Sequence, residues 1–351
     1  MRARSWPILL IMASACAEPK NEVAEGPRLL PVATLNSDKS AIVPTMAPNV
    51  AQLSTGQYAV TYNGGVPQVA FFDSSGLRAT SYESKGTGPG SISNPPIVVV
   101  QGDTIIAFDQ QRIVRLDGSL NHLRTSMADA GFSRHSDVLA TGYFVAAMPI
   151  RASNGRWYSL AILDNEGRLI KPLEEVDNPN SGIGTLIGAA NDGGFWMMRT
   201  NSDRLVRYTP RFEATDTVIV DRPWFKPWDA IEPGVRRGRN GDVVQLDHGR
   251  LLVTTWIPDP SWVPNQSSGV VNVQTVNLSG AFDSRVDLID AATGAVLSST
   301  PSPDALMAVR HAPGKFYSTR REHTGHVAID IWYCTCADSG ALPAVGTAAL
   351  R

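Results

Sequence analysis

The sequence predicts an all-β protein, a six-bladed β-propeller built from four-stranded antiparallel blades. Three observations support this prediction. A turn followed by a short apolar strand recurs six times, equivalent turns lie about 45 residues apart, and glycine and proline are frequent while only 18% of the residues are charged. Repeats of this length, without long stretches of helical periodicity, are typical of propellers. The opening strands of the six copies cover residues 56–62, 102–108, 142–148, 194–199, 249–255 and 314–319.

Each copy has room for four strands. A short segment rich in Val, Leu and Ile precedes the opening turn, and we expect it to form the innermost strand of its blade. A later segment alternates polar and apolar residues, which is the period of a strand in a sheet with two unlike faces. The predicted innermost strands are residues 49–53, 97–100, 137–140, 185–189, 242–246 and 305–309.

The third strand of most copies leads into a turn that starts with Asp and contains Gly. The Asp side chain can accept hydrogen bonds from the turn backbone, and Gly can adopt the positive φ that such turns need. The turns are residues 73–76, 117–118, 164–167 and 290–294, and Thr209-Pro210 takes this place in the fourth copy.

The ring is predicted to close through its N-terminal end. Residues 29–35 form an extra apolar strand, and we expect it to be the outer strand of the last blade, because this pairing would cover open sheet edges. The predicted propeller is a single domain, residues 28–340, followed by a tail at 341–351. Its blades are expected at about residues 45–90, 91–130, 131–178, 179–222, 223–300, and 301–338 together with 28–36.

Residues 1–15 have the features of a signal peptide. Arg2 and Arg4 precede an apolar core that is too short to span a bilayer, and small residues then precede Cys16. The pattern is similar to a bacterial lipobox, so Cys16 is the expected lipid attachment site and residues 16–27 a flexible tether. We therefore expect a cell-envelope protein, anchored by its lipid on the periplasmic side or the surface of the outer membrane.

Residues 85–90 read Lys-Gly-Thr-Gly-Pro-Gly, and Asn94-Pro95 and the regular second copy follow. This stretch, residues 85–120, resembles the bacterial six-bladed β-propeller lipoproteins related to NHL-repeat proteins, whose blades are joined by a Gly-x-Gly-Pro-Gly-Glu-Phe connector. Here Ser91-Ile92 replace the Glu-Phe pair. The resemblance implies a fold and an envelope location rather than an activity.

The fifth copy is longer than the others, with extra residues at 223–239 and 258–283. Long loops on a rigid scaffold are a common place for binding sites. Tryptophans and arginines are concentrated in and around these segments, where they either bind a protein, peptide or carbohydrate or pack the loops onto the propeller. The candidate binding residues are Trp224, Trp228, Trp256, Trp262, Arg236, Arg237 and Arg239.

The leading functional hypothesis is a non-enzymatic ligand- or protein-binding module without a cofactor. The alternative is a metal-dependent hydrolase or lactonase with calcium or zinc at the channel mouth, held by carboxylate and amide oxygens from several blades. Nucleic acid is not an expected partner, because the net charge is −2 and no broad basic segment occurs. The candidate metal ligands near the ends of innermost strands are Asp137, Asn191, Asp192, Asp242 and Asp304.

Two cysteines lie near the C-terminal end, at positions 334 and 336. In a strand their Cα atoms would be about 6.5 Å apart. This distance is near the upper limit for a disulfide. The spacing therefore favours buried thiols, and it leaves a disulfide open.

Overall fold

The computed structural model describes residues 27–36, 48–63, 67–83, 86, 88–94, 96–179, 184–229, 237–246, 249–260, 280–321 and 327–338. These residues form 25 strands in six antiparallel sheets arranged as a ring, which confirms the six-bladed propeller. No helix within these ranges has the length and hydropathy needed to cross a bilayer.

The strands follow one another from sheet to sheet. The first in the chain, β1 (Leu29–Asn36), belongs to the sixth sheet. The first sheet contains β2 (Val50–Gln52), β3 (Tyr58–Asn63), β4 (Pro67–Phe72) and β5 (Arg78–Glu83), and the second contains β6 (Ile97–Gln101), β7 (Thr104–Asp109), β8 (Arg112–Leu116) and β9 (His122–Met127). The third contains β10 (Asp137–Val138), β11 (Phe144–Ala146), β12 (Ile150–Arg151), β13 (Trp157–Leu163) and β14 (Leu169–Val176). The fourth contains β15 (Thr185–Ala189), β16 (Phe195–Arg199), β17 (Arg204–Tyr208) and β18 (Ala214–Ile219). The fifth contains β19 (Arg239–Gln245), β20 (Arg250–Pro258), β21 (Phe282–Asp290) and β22 (Val296–Ser302), and β23 (Met307–Ala308), β24 (Lys315–Arg321) and β25 (Val327–Cys334) complete the sixth.

The third sheet has one irregularity. Strands β11 and β12 both pair with the same edge of β13, and β14 pairs with its other edge. The two short strands are therefore halves of one interrupted second strand. The interruption includes Pro149, which has no backbone N–H to donate to a sheet.

The ring closes as predicted. Strand β1 pairs antiparallel with β25, from Leu29 opposite Cys334 to Asn36 opposite Ala328. The sixth and first sheets are also joined near the centre of the ring, where Arg310 N donates to the carbonyl oxygen of Val50 at 2.8 Å. The N-terminal strand thus covers the outer edge of the last blade.

The core consists of apolar clusters between neighbouring sheets rather than one central core. Phe108 of the second sheet, for example, stacks on Phe132 at 3.9 Å between ring centroids and meets Phe144 of the third sheet edge to face at 5.4 Å. Similar buried clusters lie at the other junctions between adjacent sheets. The innermost strands surround the centre of the ring.

The Asp turns form, but the positive φ is not always on glycine. Asp73 Oδ1 accepts hydrogen bonds from the backbone N–H of Ser75 at 2.9 Å and of Leu77 at 3.0 Å, as expected. In the second sheet, however, Leu120 rather than Gly118 has the positive φ, of 65°. The prediction for Gly118 was wrong, because the positive-φ position comes three residues after the Asp, and Leu120 is buried there.

Cys334 and Cys336 are joined by a disulfide, contrary to the interpretation that favoured thiols. Strand β25 ends at Cys334, and residues Thr335–Ala337 form a single 3₁₀ turn. The turn brings the two Cα atoms to 5.1 Å. The strand spacing used for the prediction does not apply beyond Cys334.

Candidate functional site

The innermost strands β2, β6, β10, β15, β19 and β23, one from each sheet, line a central channel. In each sheet the chain enters at the innermost strand and returns through a hairpin to the second strand. The connections that lead into the inner strands, including residues 128–136 and 220–229, therefore lie at one end, which we call the entry face. The first hairpins, including residues 139–143, 190–194 and 309–315, lie at the other end, the hairpin face.

Arg310 crosses this channel. It follows β23 in the sixth sheet, and its side chain reaches the third sheet, where Nη1 lies 3.4 Å from Asp137 Oδ2. Its Nη2 donates a hydrogen bond to the carbonyl oxygen of Arg134 at 2.6 Å. The third and sixth sheets are opposite each other in a ring of six, so the guanidinium lies near the axis. The residue is only 7% exposed.

Two buried carboxylates flank this guanidinium. One is Asp137, and the other is Asp242 of the fifth sheet, whose Oδ1 lies 3.9 Å from Arg310 Nη2. Asp242 Oδ2 also accepts a hydrogen bond from Ala308 N at 2.9 Å. His311 Nε2 lies 3.5 Å from Asp137 Oδ1. Burial alone would raise the pKa of both carboxyl groups, but hydrogen bonds and neighbouring positive charges lower each pKa below its ordinary value. Both groups are therefore ionised and paired at neutral pH.

The structure brings together two of the five predicted metal ligands, Asp137 and Asp242, and places an arginine between them. That arrangement is an ion-pair cluster. Among the described residues, no group of three His, Cys, Asp or Glu side chains is placed to bind a metal ion. Of the other three candidates, Asn191, in the first hairpin of the fourth sheet, lines the same channel cavity as Asp137, whereas Asp192 forms a salt bridge with Arg207 and Asp304 lies near Asp330.

His135 lies on the entry-face side of this cluster. Its Nδ1 is 3.8 Å from Asp242 Oδ1, and its side chain is largely buried. Burial lowers the pKa of His135 from 6.5 to about 4, and the nearby charges of Arg134 and Arg310 act in the same direction, against the opposing effect of Asp242. The imidazole is thus neutral in the folded protein at neutral pH.

We expect this histidine to make stability fall as the pH decreases from about 6.5 to about 4. In this range the unfolded chain binds a proton at His135 and the folded protein does not. The free energy of unfolding therefore decreases, by about 3 kcal/mol at the acid end of the range. Urea unfolding across this range should show a flatter pH profile for His135→Gln than for the wild type. His122→Gln, at an exposed position, serves as the control and should keep the wild-type profile. Equal slopes for His135→Gln and wild type would contradict the prediction.

The candidate tryptophans and arginines of the fifth copy are only partly exposed to solvent. Trp256 is 3% exposed, because its ring packs in the core and its Nε1 donates to the carbonyl oxygen of Leu306 at 2.7 Å. Trp228 is also buried and donates from Nε1 to the carbonyl oxygen of Gly238 at 3.1 Å. These two tryptophans pack the fifth sheet and its entry loop. Cys16, Trp262 and Arg236 lie outside the described residues.

The two remaining arginine candidates are not free surface charges. Arg239 begins β19, and its guanidinium lies 5.9 Å from the ring centroid of Trp256. Burial lowers the pKa of Arg239 to about 10, and the charge of Arg134 adds to this effect. Arg237 is half-buried.

Trp224 is the exposed member of the segment, with 36% of its surface accessible. Arg285, on β21, lies over the indole with 4.9 Å between Cζ and the ring centroid, and Arg222 approaches the same ring at 5.9 Å. Arg222 is only 4% exposed and donates hydrogen bonds to Asn240 at 2.9 Å and Thr255 at 2.7 Å. This buried anchor fixes the loop, so Trp224 is held in a defined position on the entry face.

The sequence interpretation missed Arg222, Arg285 and Arg310. One signal was present for the last of these. The first hairpin of the sixth sheet encloses five residues between the paired residues Val309 and Lys315, whereas the equivalent hairpin of the first sheet, between Leu53 and Gln57, encloses three. The longer hairpin carries Arg310 and His311.

No protein-family model and no curated protein match this sequence. Solved structures with a similar architecture include a luciferin-regenerating enzyme, with 10% identity and a TM-score of 0.48 over 88% of this chain and 95% of that chain. A streptogramin B lyase shows 10% identity and a TM-score of 0.45, over 87% of this chain and 97% of its own. Regucalcin from Agrobacterium tumefaciens strain C58, a calcium-binding protein, shows 11% identity and a TM-score of 0.46, over 83% and 93% of the two chains. These similarities concern architecture and carry no information on activity.

Proposed function

We propose that this propeller is an exported, lipid-anchored binding module of the cell envelope, without catalytic activity, and that it binds a protein partner through the entry face around Trp224. The observation that carries the proposal is the exposed indole held beside Arg285 and Arg222 on a fixed loop. Tryptophan and arginine are the residues most enriched at the energetic centres of protein interfaces.

The rigidity of the loop supports the same proposal. A side chain that is already fixed before binding loses little conformational freedom when the complex forms. Arg222 is buried between the fourth and fifth sheets, and Phe225 N donates to the carbonyl oxygen of Arg222 at 2.9 Å, so both ends of the short turn around Trp224 are tied down. The scaffold would thus present Trp224 as an anchor residue.

The experiment is site-specific crosslinking in living cells. A photo-reactive benzoyl-phenylalanine at Lys226, an exposed position two residues from Trp224, should yield one discrete protein adduct, and Trp224→Ala should reduce its yield about tenfold through the loss of about 1.4 kcal/mol. Trp157→Ala is the matched control, because Trp157 is equally exposed at 36% but lies on β13, away from this loop. Absence of an adduct at position 226, or an equal loss of adduct from Trp224→Ala and Trp157→Ala, would disprove the proposed site.

The anchor is tested in the same cells. If Cys16 carries the lipid, Cys16→Ser should move the protein from the membrane fraction to the soluble fraction, and for a membrane-bound partner it should lower the adduct yield at position 226. Unchanged membrane association of Cys16→Ser would contradict the lipid anchor.

A further inference from the structure

Two arginines meet at the entry end of the channel, beside the ion-pair cluster of Arg310. Arg134 lies in the connection that leads into the third sheet, and Arg239 begins β19 in the fifth sheet. Both guanidinium groups approach the indole of Trp256, with 5.1 Å from Arg134 Cζ and 5.9 Å from Arg239 Cζ to the ring centroid. The third and fifth sheets are not neighbours in the ring, so Arg134 extends over the end of the channel. We call Arg134 and Arg239 the arginine pair.

Arg239 has no anionic partner in the described part of the chain. Its guanidinium forms neither a hydrogen bond nor a salt bridge with any residue of the described ranges. Its Nε is enclosed by the protein, whereas the two Nη atoms remain open to solvent. Burial lowers the pKa of Arg239 to about 10, and the charge of Arg134 acts in the same direction, so the group is still protonated at neutral pH. Because a desolvated charge is costly without a partner, an anion at the Nη atoms would stabilise this arginine.

Arg134 also has hydrogen-bond donors that the described residues do not use. Its side chain is 31% exposed, and the carboxylate that faces it, Asp242 Oδ2, lies 3.9 Å from Nη2, beyond hydrogen-bond distance. Asp242 is shared with Arg310, whose Nη2 lies 3.9 Å from Oδ1. The backbone of Arg134 is fixed, because its carbonyl oxygen accepts a hydrogen bond from Arg310 Nη2 at 2.6 Å. The second guanidinium of the arginine pair is therefore held in place and accessible.

The arginine pair matches a carboxylate. A guanidinium presents its N–H groups in a planar fork that fits the two oxygens of a carboxylate, and a cation would be repelled. Although burial raises the pKa of Asp242, hydrogen bonds and neighbouring positive charges lower it below its ordinary value, so this group is ionised. A second negative charge on a ligand would be repelled by Asp242. A carboxylate carries one negative charge, whereas a phosphate monoester carries about 1.5 to 2 at neutral pH.

We propose that the arginine pair binds the carboxylate of a small organic acid at the entry end of the channel. The carboxylate accepts hydrogen bonds from Nη atoms of Arg134 and Arg239 and offsets the repulsion between the two guanidinium groups. This site is separate from the loop of Trp224 and does not rest on the protein partner proposed for that loop.

Four probes test the proposal on the purified full-length protein in low-salt buffer. Ligand-observed NMR titrations should show saturable binding of butyrate. Butyramide, which has nearly the same shape without the charge, should bind at least about tenfold more weakly, and butylammonium should not compete with butyrate. Inorganic phosphate should bind more weakly than butyrate. No saturable binding of butyrate, or binding of butyramide or phosphate as tight as that of butyrate, would overturn the proposal.

Three variants locate the binding site. Arg239→Gln and Arg134→Gln each remove one guanidinium and should weaken butyrate binding at least about tenfold. Arg168→Gln is the matched control and should leave the affinity unchanged, because it alters the net charge equally but removes an arginine that is 73% exposed on the turn between β13 and β14. Thermal unfolding establishes that each variant is folded, and Arg134→Gln is decisive if Arg239→Gln does not fold. Unchanged butyrate affinity in a folded variant of the arginine pair, or an equal loss in Arg168→Gln, would overturn the proposal.

Discussion

Replacing Arg310 with methionine is expected to lower the free energy of unfolding by about 3–5 kcal/mol. The guanidinium is 7% exposed and lies between Asp137, at 3.4 Å, and Asp242, at 3.9 Å. Removing it leaves two buried carboxylates close to each other without their shared positive partner. It also removes the hydrogen bond to the carbonyl oxygen of Arg134 that links the sixth sheet to the third.

Urea unfolding at neutral pH measures this effect, and Arg320→Met provides the control. Arg320 also pairs with an aspartate, Asp330 at 3.1 Å, but its side chain is exposed, so its removal should cost less than about 1 kcal/mol. Adding Asp137→Asn and Asp242→Asn to Arg310→Met should recover part of the loss, because the uncompensated charges are then gone. A cost for Arg310→Met no larger than that for Arg320→Met would show that the channel cluster does not stabilise the ring.

The second large effect is expected for Gly294→Ala, which should lower the free energy of unfolding by roughly 2–5 kcal/mol. Gly294 is in the turn between β21 and β22 and has a φ of +77°. A Cβ atom there would lie 2.0 Å from the carbonyl oxygen of Ile219, on the outer strand of the preceding sheet. The carbonyl oxygen of Gly294 also accepts a hydrogen bond from Asp221 N at 3.0 Å, which the displaced turn would lose.

Gly155→Ala separates the two causes. Gly155 has nearly the same φ, +79°, but its Cβ would meet no atom within 4 Å. In this variant the free energy of unfolding should therefore fall only by the cost of placing alanine at a positive φ, about 1–2 kcal/mol. Chemical unfolding of both variants measures the difference, which is the cost of the clash between sheets. Equal losses for the two variants would show that the neighbouring sheet moves to make room.

Much of the fold was predictable because it depends on local patterns. The predicted innermost strand at residues 185–189 coincides with β15, and the predicted closing strand at 29–35 lies within β1. Both predictions rest on short apolar segments bounded by turns, which determine strand position without reference to distant parts of the chain. The positive-φ positions within the turns were predicted less well, since in the second sheet Leu120 and not Gly118 has the positive φ.

The candidate sites were less predictable because they depend on packing between distant segments. Trp256 and Trp224 looked equivalent in the sequence, yet Trp256 lies in the core beside Leu306 while Trp224 remains exposed. Asp137 was a candidate metal ligand, and its partner is Arg310, 173 residues further along the chain. No local pattern indicates which charge will face another across the ring.

The sixfold repeat by itself determined the strands, the antiparallel blades and the closing strand, because hydrophobic periodicity and turn residues act over a few positions. Only the tertiary structure decided what occupies the channel. Closing six sheets into a ring brings the ends of innermost strands from the whole chain to one axis, so a hairpin two residues longer in the sixth copy places Arg310 between Asp137 and Asp242. That placement depends on how far a side chain reaches across a closed ring, and this distance exists only once the ring has formed.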